Sequence, residues 1–290
     1  MKKLLITGAS GFLGWHLCQL AKQEWEVYGT YYSHFIEIPG VKTLKVKLNN
    51  FQDLKQIFSQ INPAAVIHTA AQSQPNFCQT YPQQSHTINV TTSCNIAGLC
   101  ADYSIPCVFT STDLVFNGLN APYKETAPVC PVNIYGEQKV MGEIGMLERY
   151  PMTAVCRMPL MFGRETPTAT SFIQPFIQTL KEDKELNLFI DEVRTPVSGT
   201  TAAKGLLLAL EKVSGIIHLG GKERISRYDF GKVLVEVFNL PSTKLKGCRQ
   251  QDIKMSAPRP ADVSLDSSQA FKLGYQPLSI KEELEAIAKF

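Results

Sequence analysis

Short apolar runs alternate with longer amphipathic ones along most of this 290-residue chain. KLLIT (3–7), EVYGTY (26–31), TLKVKL (43–48), AAVIHTA (64–70), CVFTST (107–112) and TAVCRMP (153–159) read as strands. Most are continuous apolar runs rather than alternating ones, which suits strands buried on both faces. Helical periodicity fills the gaps: over 11–23, over 51–61, over 83–103, and in the segment carrying Tyr135. This alternation predicts an α/β fold, a Rossmann-type doubly wound parallel sheet with helices on both faces.

After about residue 160 the rhythm loosens. Helices are predicted over 171–182, 201–213 and 227–238, with a strand over 215–221. The 227–238 helix carries a capping signature, Ser226 with Asp229 three residues on. Pro and Gly become frequent between 239 and 278. The expected organisation is a dinucleotide-binding domain over 1–160 and a smaller, mainly substrate-binding domain over 161–290. Part of the second, about 201–221, returns to the main sheet. No internal repeat or low-complexity segment interrupts this order.

Composition narrows the function. A net charge of +3 without a Lys/Arg cluster argues against a nucleic-acid partner. No apolar run approaches the ~18 residues that a membrane span needs. Eight cysteines are scattered without a CxxC pair or zinc-finger spacing, several inside apolar runs, and are expected to be reduced thiols. With an N-terminus that runs straight into a strand, this predicts a cytoplasmic protein. No metal site is expected: His68 lies in a strand as a core residue, and His16, His34, His86 and His218 lack partners at useful spacing.

Two patterns carry candidate chemistry. TGASGFLG places Gly8, Gly11 and Gly14 between the first strand and first helix. Glycines there permit a tight turn and bring backbone N–H groups close to a pyrophosphate at a helix N-terminus. The spacing is GxxGxxG rather than GxGxxG. Further on, NIYGEQKVMGE puts Tyr135 and Lys139 four residues apart, on one helical face. A lysine ammonium beside a phenol is expected to lower its pKa and make it a proton donor and acceptor near neutral pH.

With TGASGFLG, VIHTAA (66–71), Asn89, TSTDLVFNG (110–118), PVNIYGEQKVMGE (131–143), CRMPLMFG (156–163) and RPADVSLDSSQAFKLGYQP (259–277) in this order, the chain resembles the extended short-chain dehydrogenase/reductases. Within them it is similar to the dTDP-4-dehydrorhamnose reductase-like, sugar-nucleotide-binding branch. The resemblance implies an NAD(P)H-dependent reductase of a nucleotide-linked 4-keto-6-deoxy sugar, in dTDP-rhamnose biosynthesis or a related route. It implies a catalytic set of Thr112, Tyr135 and Lys139, with Ser111 beside Thr112. Cofactor contacts fall on Gly8, Ser10, Gly11, Phe12, Leu13, Gly14, Ala70, Ala71, Gln72, Ser111, Tyr135 and Lys139. Substrate contacts fall on Thr112, Asp113, Arg194 and Arg259, the two arginines toward a diphosphate. Asn89 would tie its helix to a neighbouring strand, and a homodimer is compatible with the branch.

The window 27–36, which ends the second strand, contains no Asp or Glu. NADP(H) is therefore expected over NAD(H), with Thr30, Ser33 and His34 as donors to the 2′-phosphate. The same window has no Arg or Lys, so the preference should be modest and NAD(H) usable. Some family features are missing. Acidic residues usual in the reductases are replaced by Asn76 and Gln79, a tryptophan by Leu160, and an aspartate near the adenine by Lys47–Leu48–Asn49. Two other readings stay open: a non-catalytic nucleotide-binding regulatory subunit, like that of methionine adenosyltransferase, and a sugar-nucleotide epimerase.

Overall fold

The structure is a computed structural model and describes residues 1–289. Seven parallel strands form its sheet: β1 (Lys3–Thr7), β2 (Glu26–Tyr31), β3 (Lys42–Lys45), β4 (Ala65–His68), β5 (Cys107–Thr112), β6 (Ala154–Met158) and β11 (Gly215–His218). Their spatial order is β11-β6-β5-β4-β1-β2-β3. Helices α1 (Phe12–Ala21) and α8 (Gly199–Lys212) cover one face, where Leu4, Ile6, Ile67, Val108, Cys156 and Ile217 meet Leu17 and Leu206. On the other face lie α2 (Phe51–Ile61), α5 (Ser93–Asp102) and α6 (Ile134–Arg149). There Leu5, Val66, Phe109 and Val155 pack on Phe58, Ile96 and Met146. Successive strand residues thus feed opposite cores, and the runs read as continuously apolar because both faces are covered.

The helix predicted over 83–103 is not regular. It divides into α4 (Pro82–His86), a π-helical segment (Thr87–Thr92) and α5, preceded by α3 (Pro75–Thr80). Side-chain hydrogen bonds from Asn89, described below, accompany this bulge. The third strand ends at Lys45 and β11 at His218, both short of the predicted 48 and 221.

The C-terminal lobe contains short strands that no periodicity announces. β7 (Met161–Phe162) pairs with β10 (Val197–Ser198), β8 (Leu186–Phe189) with β13 (Leu245–Cys248), and β9 (Val193–Arg194) with β12 (Ile225–Ser226). Helices α7 (Ile173–Lys181), α9 (Arg227–Val237), α10 (Ser268–Leu273) and α11 (Ile280–Ala288) complete it. Ser226 caps α9 by accepting from Asp229 N at 3.0 Å. Glu283 of α11 accepts from Ser198 N and Thr201 Oγ1, fastening the lobe to the start of α8. All eight cysteines are free thiols, and six are buried. No helix among the described residues is long and apolar enough to cross a membrane.

Candidate functional site

A cleft of about 600 Å³ lies at the carboxyl ends of the strands, where strand order reverses between β1 and β4. Open α/β sheets bind ligands at this switch point. The glycine turn forms its floor. Gly8 has φ +75°, and a Cβ there would lie 2.8 Å from Ala70 Cα. A Cβ on Gly14 would meet the Gly8 carbonyl oxygen at 2.1 Å. Gly11 opens α1, and no side chain caps that helix. Its first-turn N–H groups therefore face the cleft as donors, in an arrangement that fits the pyrophosphate of a dinucleotide.

The wall beyond β4 is held by Asn89. Its amide accepts from Gln72 N at 2.9 Å, donates to Gln72 O at 3.1 Å, and donates to Gln138 Oε1 at 2.9 Å. One side chain thus joins the loop after β4 to α6. Beneath the loop, His68 is fully buried between Thr7 Oγ1 (2.6 Å) and Ser93 Oγ (3.1 Å). Ser93 already donates to Asn89 O, so His68 Nε2–H donates to Ser93 and Nδ1 accepts from Thr7. Burial, with Lys139 adding to it, lowers the His68 pKa to about 3.

Tyr135 and Lys139 both line the cleft from the first turns of α6, which Asn133 caps by accepting from Gly136 N at 2.9 Å. The Thr112 hydroxyl, which donates to Asp113 Oδ1 at 3.2 Å, acts on the Tyr135 phenol through the electrostatics described below. Thr112 itself lies behind the cleft wall, its Oγ1 accepting from Leu114 N at 3.2 Å. The expected lowering of the phenol pKa by the lysine is not what the structure gives. Burial raises Tyr135, with Cys78 and Asp113 adding to it and Thr112 opposing. Burial drives Lys139 the other way, to about 7, against the pull of Glu143 and Cys78. A lysine near its own neutral point offers no full charge to the phenol. Its Nζ lies 4.0 Å from the centre of the Phe109 ring.

Two charged groupings flank the site; Asp113 and Arg194 are among the predicted substrate residues, whereas Glu143, Arg157, Glu192 and Arg227 went unnoticed in the sequence. Glu143 receives the Ser111 hydroxyl and pairs with Arg157 at 2.8 Å. Its position four residues after Lys139 was a readable signal. On the other side, Arg194 pairs with Asp113 (3.0 Å) and Glu192 (3.3 Å), and Arg227 with Glu192 (3.4 Å). Among the described residues, three buried polar atoms of this hub have no hydrogen-bond partner: Asp113 Oδ2, Arg194 Nε and Arg227 Nη1. Burial raises the Asp113 pKa, with Arg194 opposing it.

The structure gathers most of the predicted cofactor residues on one surface. Gly8, Ser10, Gly11, Phe12, Leu13, Gly14, Thr30, Ser33, Ala70, Ala71, Gln72 and Ser111 all line the cleft. Thr30 Oγ1 accepts from Gly8 N at 3.3 Å and so is occupied by the turn itself. His34 is exposed and outside the cleft wall, its Nδ1 3.0 Å from Ser33 Oγ. Arg194, expected toward a diphosphate, is buried and held by Asp113 and Glu192.

The model of the family described as the RmlD substrate binding domain matches residues 1–289. This chain belongs to that family. Another protein of this fold, described as a hypothetical dTDP-4-dehydrorhamnose reductase from Sulfolobus tokodaii, is 32% identical with a TM-score of 0.85. The match covers 97% of this chain and 98% of that one. Methionine adenosyltransferase 2 subunit beta of Xenopus laevis is 29% identical over 94% of this chain and 83% of its own length. The probable low-salt glycan biosynthesis reductase Agl14 of Haloferax volcanii is 28% identical over 97% of this chain and 96% of its own.

Within the RmlD substrate binding domain family, the two amides noted in the sequence have structural partners here. Asn76 Oδ1 accepts from Ala257 N (3.2 Å) and from Arg259 Nη2 (3.1 Å). Gln79 Oε1 accepts from Ile134 N at the start of α6 at 3.2 Å. Both tie the α3 region to segments beside the cleft, and Asn76 fixes the predicted substrate residue Arg259.

Proposed function

We propose that this protein is an NADPH-preferring reductase of a nucleotide-linked 4-keto-6-deoxy sugar. The observation that carries the reading is the meeting, in one cleft, of the glycine turn with Tyr135 and Lys139. When bound, NADPH supplies a hydride from the nicotinamide. Tyr135 Oη delivers a proton to the sugar carbonyl oxygen. Thr112 holds that oxygen by a hydrogen bond. Lys139 hydrogen-bonds the nicotinamide-side ribose and, in its protonated form, stabilises the phenolate left behind. The buried hub of Asp113, Arg194, Arg227 and Glu192 shapes the substrate side, with Arg259 at its edge. General acid help of this kind is worth about 10²–10⁴ in rate.

Tyr135→Phe tests the reading. Turnover of 4-keto sugar nucleotides should fall by at least about 10²-fold while the dissociation constant for NADPH stays within a few fold. A Phe variant that keeps a tenth or more of wild-type kcat removes Tyr135 from the chemistry. The likeness to a methionine adenosyltransferase beta subunit supports a second reading, a nucleotide-binding regulatory subunit. NADPH oxidation across a panel of nucleotide 4-keto sugars separates the two. Tight NADPH binding with no turnover of any of them favours the regulator.

A further inference from the structure

The window that ends β2 holds no Lys or Arg, yet the structure brings a lysine to the same place from the segment that follows β3. β3 runs parallel to β2 with Tyr31 opposite Lys45, and Val46 N donates to Tyr31 O at 2.9 Å. The chain then passes Tyr32 and Ser33 and places Lys47 with them on the cleft wall. Lys47 is exposed, and among the described residues its ammonium makes no hydrogen bond or ion pair. Among the described residues the cleft is lined by two lysines, Lys139 and Lys47, and by no carboxylate. They mark opposite ends. Lys139 stands beside β5, at the end proposed for the nicotinamide. Lys47 stands at the β2–β3 end, where a dinucleotide-binding fold reads the adenosine ribose.

We propose that Lys47 selects the 2′-phosphorylated dinucleotide, its ammonium pairing with the 2′-phosphate beside the Ser33 hydroxyl. The inference rests on the dinucleotide reading of the cleft and adds its specificity residue. A bound 2′-hydroxyl gains nothing from a nearby ammonium, whereas a phosphate near its second ionisation gains a charge-assisted hydrogen bond. Lysine acts here as a point charge on a flexible stem, so arginine should substitute for it. The contact lies at the solvent edge, so salt should weaken it.

Binding to the full-length protein, measured by calorimetry, tests this without reference to turnover. Lys47→Ala should weaken NADPH by about tenfold, roughly 1.4 kcal/mol, and leave NADH within twofold. Lys47→Glu should reverse the preference, and Lys47→Arg should keep it. Adenosine 2′,5′-bisphosphate and AMP, which lack the nicotinamide half, should show the same discrimination in the wild type and lose it in the alanine variant. Raising ionic strength should shrink the wild-type preference toward that of Lys47→Ala. Equal weakening of both dinucleotides by Lys47→Ala, or no weakening of either, would overturn the role of Lys47 and leave the dinucleotide site standing. A wild type that binds neither dinucleotide would overturn both.

Discussion

Burial sets Lys139 against its own charge. Its ammonium lies over the Phe109 ring, and the nearest carboxylate on its helix face, Glu143, is already bound by Arg157 and Ser111. The folded pKa falls to about 7 from the ordinary 10.5. Between those values the unfolded chain binds more protons than the folded one, so stability rises with pH across that window. Removing the amine should therefore stabilise the empty protein. Lys139→Met is expected to raise Tm at pH 6.5 by about 3–6 °C, from roughly 2 kcal/mol, with the gain shrinking as pH approaches 10.5. The same variant should lose cofactor affinity and activity. A Tm that falls at pH 6.5, measured by calorimetry, would defeat the burial argument. At this scale the sequence was legible in position and not in protonation. The spacing of Tyr135 and Lys139 put both in the cleft. Their pKa values depend on burial in the folded chain and on the charge of residues far away in sequence, such as Cys78, which no local pattern reveals.

Elements join the site to the lobe through charge as well as packing. Arg194, on β9, crosses to Asp113, the residue after Thr112 at the end of β5. Arg194→Met would leave Asp113 buried and uncompensated, and should cost about 3–5 kcal/mol of stability. Adding Asp113→Asn should recover a good part of that loss. Urea unfolding of the two single variants and the double closes the cycle, and strict additivity would mean that the bridge carries no coupling. The seven-stranded sheet was legible because long, doubly buried strands leave continuous apolar runs. The pairs β7 with β10 and β9 with β12 were not, since two residues have no period. The π segment was equally hidden, because Asn89 acts through partners on the β4 loop and on α6. α11 could have been found: Ser279 and Glu282 form a capping box ahead of an amphipathic run.

For the molecule as a whole, three histidines are folded in their neutral form. Burial lowers His68 and His218 to about 3 and His16 to about 4, with Lys139 adding to the effect at His68 and Arg157 at His218. Each folded value lies below the unfolded 6.5. Their stability contribution is complete above pH 6.5 and is lost as pH falls toward 4 and 3. At pH 5 the loss should be about 2 kcal/mol each for His68 and His218, and less for the partly exposed His16. The urea midpoint should therefore drop between pH 7 and pH 5, before most carboxylates titrate. A midpoint flat to pH 5 would mean that these rings are charged in the native state.

The return of the chain to its own sheet has a consequence for how the protein is made. β6 is buried along its whole length, and its outer edge is covered by β11. More than fifty residues, from Met161 onward, are synthesised before Gly215 can reach that edge. Until then the nascent chain presents an apolar strand with unpaired backbone groups, the kind of edge on which half-made proteins associate. α8, which emerges just ahead of β11 and packs on α1, would be the first segment able to steer the closing strand into place.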